Sequence, residues 1–129
     1  MYLTVLTDKG ALIGDRIRYA NTFWQRFRGL MFTSSLEPGT GLLLEPCQSV
    51  HMLFMRYAID VLFLDQQNVV VAAYSHLRPW IGLTRWHGDA RSALELPAGT
   101  IRQHGLAPGD GIRLTAGSLH DRPQPRNQS

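Results

Sequence analysis

Cys47, His51, Met52 and Met55 place a thiol, an imidazole and two thioethers within one short stretch of chain. That is the soft donor set that suits cuprous copper. The stretch Val50–Met55 also reads as a strand, on which side chains alternate, so His51, Leu53 and Met55 share one face and Met52 takes the other. The donors then cannot converge. The expectation is no metal site, with Met52 and Met55 filling core gaps and Cys47 acting as a small buried hydrophobe. A nucleophilic cysteine would need an oriented base, and His51 has no Asn or Asp placed to orient it. Zinc-type Cys/His spacing, a phosphate loop, a dinucleotide fingerprint and a G-x-S-x-G elbow are all missing, so no cofactor is expected.

Ionisable residues inside apolar runs are a second source of chemistry. Asp60 sits in Ile-Asp-Val-Leu-Phe-Leu and shares parity with Leu62 and Leu64. A carboxylate on a core face needs a cationic, imidazole or backbone N–H partner, because leaving it unpaired is too costly. Glu95, in Ala-Leu-Glu-Leu-Pro, poses the same question, and Arg28 stands beside a run rich in aromatics. Two accounts fit these residues. One is a structural ion-pair network that fixes packing. The other is a pocket in which His51, Asp60 and Glu95 supply acid–base groups, which would make the chain a hydrolase-like or metal-assisted enzyme.

The third candidate is the segment 76–89, which carries Arg78, Pro79, Trp80, Arg85, Trp86, His87 and Asp89. A long loop in a compact domain is often functional, and tryptophan beside arginine is what binding surfaces concentrate. Exposed, these residues would suit an anionic or carboxylate-bearing ligand, with His87 and Asp89 adding hydrogen bonds. Buried, the two indoles would merely close the end of a barrel. The reading preferred from sequence is a small ligand-binding or protein-interaction domain that uses this loop and a polar pocket near Asp60.

The elements that must position these groups are short. Tyr2–Leu6 and Ala11–Tyr19 form a hairpin about the turn Asp8-Lys9-Gly10. Thr22-Phe-Trp-Gln25 fits a capping box and predicts a helix over Phe23–Phe32. Leu42–Leu44, Val50–Met55, Asp60–Asp65, Val69–Tyr74, Ala90–Leu96 and Ile112–Leu114 read as further strands, and Thr100–His104 as one helical turn. The fold class is mainly β (α+β): a compact small barrel or sandwich of short strands with one or two short helices. A single domain over residues 1–116 and a flexible polar tail over 117–129 complete the organisation.

Four motifs in order resemble one known family. Ala20-Asn-Thr22-x-x-x-Arg26-x-Arg28-Gly29-Leu30-Met31 is similar to the opening signature of the family called domain of unknown function 192. His51-Met52-x-Phe54-Met55-x-x-x-Ile59-Asp60-x-x-Phe63-x-Asp65 resembles its central hairpin. Ala93-Leu94-Glu95-Leu96-Pro97-Ala98-Gly99 resembles its late motif, and Gly105-x-x-x-Gly109-Asp110 its closing turn. Members often carry a tryptophan and a lysine in the central motif, where this chain has Leu53-Phe54-Met55-Arg56. The resemblance implies a compact, mainly β fold and no particular activity.

Composition narrows the partners. The 129 residues are 44% hydrophobic and 18% charged, an ordinary globular mixture with a net charge of +3. Twelve of the thirteen basic residues are arginine, and only Arg16, Arg18, Arg26 and Arg28 cluster, with Asp8 and Asp15 diluting them. Nucleic acid is therefore not expected as a partner. No apolar run approaches the ~18 residues of a membrane span, and the first residues lack a signal-peptide pattern, so the expected location is cytoplasmic, with no membrane partner. An unidentified small molecule or protein remains.

Overall fold

The computed structural model describes residues 2–20, 36–52 and 55–116. The helix predicted over Phe23–Phe32, Arg28 within it, and the tail 117–129 lie outside the described residues. Seven strands form one sheet: β1 (Tyr2–Thr7), β2 (Leu12–Ala20), β3 (Thr40–Leu44), β4 (Ile59–Leu64), β5 (Val70–Leu77), β6 (Ser92–Pro97) and β7 (Ile112–Ala116). A five-residue helix, α1 (Thr100–His104), follows β6. The spatial order is β5-β4-β6-β3-β2-β1-β7, antiparallel throughout except for the parallel pair β2–β3. Its two edges approach at one end, where Val69 bridges Gly111 and the Val70 N–H reaches the Asp110 carbonyl at 2.8 Å. The sheet is thus a curled half-barrel. Of the two architectures open from sequence, the barrel-like one is adopted.

Strand register divides the side chains between two faces. Tyr19, Leu43, Leu94, Leu62 and Ala73 form one cross-strand row, and all belong to a cluster to which every strand and α1 contribute. This is the inner face, completed by Val5, Ile17, Ile101 and Ile112. Arg18, Leu42, Glu95, Val61 and Tyr74 form the neighbouring row on the outer face. Leu42, Val61, Phe63 and Ala93 pack there with Val50, Met52 and Met55 from the connection that follows β3. Both faces of β4 are covered, which is why all six of its residues are buried.

Two sequence expectations change. Around Val50–Met55 the described residues form no ladder strand; His51 makes one isolated bridge, to Leu83, because the neighbour of this segment is an irregular loop. And β5 runs on to Leu77, so the loop begins at Arg78 rather than His76. The extension contains a bulge: Ile59 and Val61 of β4 face Leu77 and Tyr74, and His76 within it has φ 55°.

Candidate functional site

Asp60 lies between the two register positions that flank this bulge, on the inner face opposite Leu96. It is fully buried. Its Oδ1 accepts the His76 N–H at 2.8 Å, the ladder donor that the bulge leaves over. Its Oδ2 accepts the N–H groups of Gly99 at 3.0 Å and Ile101 at 2.9 Å, at the start of α1. A helix begins with unpartnered donors, and α1 has no side-chain cap of its own, so Asp60 caps it from another strand. Gly99 has φ 96°, a conformation glycine adopts without strain, which turns its N–H toward the carboxylate. The exposed His76 imidazole stands 3.8 Å from Oδ1. Every oxygen of Asp60 is engaged in holding β4, β5 and α1 together. Asp60 is thus a structural tie, held chiefly by backbone N–H groups.

Glu95 faces the other way. It sits between Leu42 and Val61 on the outer face and is 6% exposed, with no hydrogen-bond or ion-pair partner among the described residues. Burial pushes its carboxyl up to about 7 from an ordinary 4.5. Two strands away in the same row is Tyr74, whose hydroxyl is 2.7 Å from Nε2 of His87. The Phe63 ring packs against both, at 4.7 Å from the imidazole and 5.9 Å from the phenol. His87 is buried, and desolvation holds it below 6.5; the Arg85 charge adds to this and Asp89 opposes it. His87, a ligand-contact candidate from sequence, is thus packed on Phe63 and bonded to the Tyr74 hydroxyl. Tyr74, its partner, was missed, since nothing in Val-Val-Ala-Ala-Tyr marks the hydroxyl as paired.

His51, Asp60 and Glu95 do not converge. Asp60 is on the inner face, Glu95 on the outer, and His51 is exposed beside Leu83. The soft donors separate as well, though not by strand parity. Met52 and Met55 are both buried in the outer-face cluster, Cys47 packs against it, and His51 points away. The Cys47 thiol donates to the Ser49 carbonyl at 3.1 Å. Among the described residues no three His, Cys, Asp or Glu side chains group as a metal site.

The segment from Arg78 to Arg91 crosses the outer face alongside residues 47–52. Backbone hydrogen bonds join them along their length: Trp80 N–H to Met52 O, Met52 N–H to Gly82 O, Thr84 N–H to Val50 O, His87 N–H to Gln48 O and Cys47 N–H to Arg91 O, all between 2.8 and 3.0 Å. The Thr84 hydroxyl adds a bond from the Val50 N–H at 2.9 Å. Gly82 permits the close approach, because a Cβ there would lie 2.6 Å from the Arg78 carbonyl and 2.7 Å from Met52 Cγ. The main chain is pinned, yet the side chains project. Trp80 is 53% exposed, Ile81 and Leu83 71%, and Trp86 68%. Arg78, Arg85 and His51 are exposed as well. Trp80 holds φ 67°, a left-handed conformation that is rare for a bulky side chain. Sequence reasoning singled out the tryptophans but not Ile81 and Leu83; the available signal was two large aliphatics in a loop with nowhere to be buried.

The comparisons with known proteins agree on kinship. The chain is 37% identical over 112 residues to a UPF0127 protein of Thermococcus sibiricus, covering 81% of this chain and 69% of that one. It is 38% identical over 113 residues to a UPF0127 protein of Pyrococcus furiosus, covering 81% and 90%. Two solved structures share the fold. One, from Novosphingobium aromaticivorans, is of unknown function, with TM-score 0.74, 22% identity and coverage of 86% and 82%. The other, from Sinorhizobium meliloti, is described as a candidate transcription regulator, with TM-score 0.73, 24% identity and coverage of 87% and 91%. The model of the DUF192 family, described as an uncharacterized ACR, matches residues 4–114, and the chain belongs to that family.

Proposed function

We propose that the chain is a non-catalytic recognition domain whose contact surface is the 78–86 part of the loop. One observation carries this reading: Trp80, Ile81, Leu83 and Trp86 project at 53–71% exposure from a main chain fixed by hydrogen bonds to 47–52. Large apolar side chains grouped on a surface mark an interaction site when a rigid scaffold holds them there. The strained backbone at Trp80 points the same way, since a glycine would hold that conformation at lower cost but bring no indole. The exposed Arg78 and Arg85 stand among these residues in sequence, and no acidic residue interrupts them between Leu77 and Gly88. It suits a surface that is apolar and negatively charged. The enzymatic alternative is not favoured, because its three groups lie at separate places.

A small apolar anion is a direct probe. With anilinonaphthalene sulfonate added to labelled protein, amide resonance shifts are expected over residues 78–86 and at His51 and Met52. The variant Ile81→Ser/Leu83→Ser, altered only at exposed positions, should lose them while keeping the parent spectrum elsewhere. Shifts centred on another face would refute the assignment.

A further inference from the structure

We infer that the loop docks on an anionic lipid surface, and this rests on the recognition reading above. A peripheral contact needs no spanning helix, and none among the described residues is long and apolar enough to cross a membrane. What it needs is an apolar wedge, interfacial aromatics and basic groups at the depth of the headgroups. The loop supplies all three in sequence order: Arg78, Trp80, Ile81, Leu83, Arg85, Trp86. Ile81 and Leu83 are the most exposed of the large apolar side chains among the described residues, at 71% each. Trp80 and Trp86 flank them in sequence, and indoles favour the boundary between hydrocarbon and headgroup. Arg78 and Arg85 bracket the aliphatic pair and are exposed, as contacts to lipid phosphates require.

Charge and residue choice separate this occupant from a folded protein partner. The net charge is +3, and in the loop the exposed Arg78 and Arg85 outnumber its one carboxylate, Asp89, so an anionic surface is favoured. Protein hot spots favour Trp and Arg but not Leu, and they seat their anchors in matched pockets. Here two aliphatic tips protrude beside the indoles. A fluid acyl layer accommodates that shape without a preformed groove. The backbone hydrogen bonds to 47–52 mean that no ordering of the loop's main chain is needed on contact.

Sedimentation with vesicles tests the inference on the full chain. Vesicles of mixed phosphatidylglycerol and phosphatidylcholine should carry the protein down, and pure phosphatidylcholine vesicles far less. Raised salt should weaken the binding, and Arg78→Gln and Arg85→Gln should each lower the partition coefficient about fivefold. Ile81→Ser/Leu83→Ser should lower it more than about tenfold. Lipids brominated near the headgroup should quench tryptophan emission, and Trp24→Phe should retain that quenching. No partition into anionic vesicles, or partition indifferent to the Ile81/Leu83 change, overturns the lipid assignment. If the anilinonaphthalene sulfonate footprint survives that result, the recognition surface stands and its occupant is a protein. If the footprint fails too, both proposals fall.

Discussion

Asp60 and Glu95 are both buried carboxyls on adjacent, paired strands, yet they face opposite sides of the sheet and meet different physics. Asp60 points inward to where a bulge and a helix start leave three N–H donors over, and it takes all three. Glu95 points outward into Leu42, Val61 and the apolar layer above them, where the described residues offer it no donor. Burial alone therefore does not decide what a carboxyl does. Donors within reach make it a structural tie; their absence makes it a group that holds its proton near neutrality.

The largest expected effect follows from the first half of that contrast. Asp60→Ala strands the N–H groups of His76, Gly99 and Ile101 without an acceptor and detaches α1 from the sheet. The cost should be about 3–5 kcal/mol, read as a lower urea midpoint. Asp60→Asn keeps one carbonyl acceptor and should fall between the variant and the parent. A variant that melts like the parent would mean the three donors find other acceptors, and the contrast with Glu95 would collapse.

The second prediction concerns pH. The folded carboxyl of Glu95 titrates at about 7, above its ordinary 4.5, so over that interval the folded chain binds more protons than the unfolded one. Stability from this group is then complete at low pH and declines as pH rises through 7. The loss amounts to about 3 kcal/mol once ionisation is complete. Glu95→Gln should accordingly be more stable than the parent at pH 8 by up to that amount, with the two converging near pH 4. Urea unfolding at both pH values reads the difference. Equal stability at pH 8 would show that the ionised carboxylate is well solvated. His87 works in the opposite sense: its lowered value makes the folded state resist protonation, so its contribution is lost as the medium turns acidic.

How much of this could be read from sequence differs between the two carboxyls. Strand periods located all seven strands of the sheet, since each is a short β-branched or leucine-rich run, and parity placed Asp60 with Leu62 and Leu64 on what became the inner face. The need of Asp60 for a partner was also legible. That its donors would be backbone N–H groups was not, because they arise from a bulge at His76 and a turn at Gly99 far along the chain. Likewise the opposed directions of Asp60 and Glu95 depend on how β4 registers against β6, Asp60 opposite Leu96 and Val61 opposite Glu95, which no local pattern encodes. Val50–Met55 misled because its alternation is that of a strand while its neighbour is a loop.

The smallest effect is also the sharpest test of whether the outer face holds one polar site or two separate groups. Tyr74 and Glu95 share a cross-strand row with Val61 between them, a separation of two strand spacings, about 10 Å at the backbone. Tyr74→Phe deprives the buried His87 Nε2 of its partner and should cost about 1 kcal/mol at pH 8. Groups that far apart, with no shared partner among the described residues, should behave independently, so Tyr74→Phe/Glu95→Gln should equal the sum of the single changes to within about 0.5 kcal/mol. Additivity leaves Glu95 as a carboxyl independent of the Tyr74–His87 pair, and that pair as the tie between the loop and β5. A coupling above about 1 kcal/mol would mean that a proton or water links the two groups. Acid–base chemistry on the outer face would then outrank the recognition surface as the centre of this protein's function.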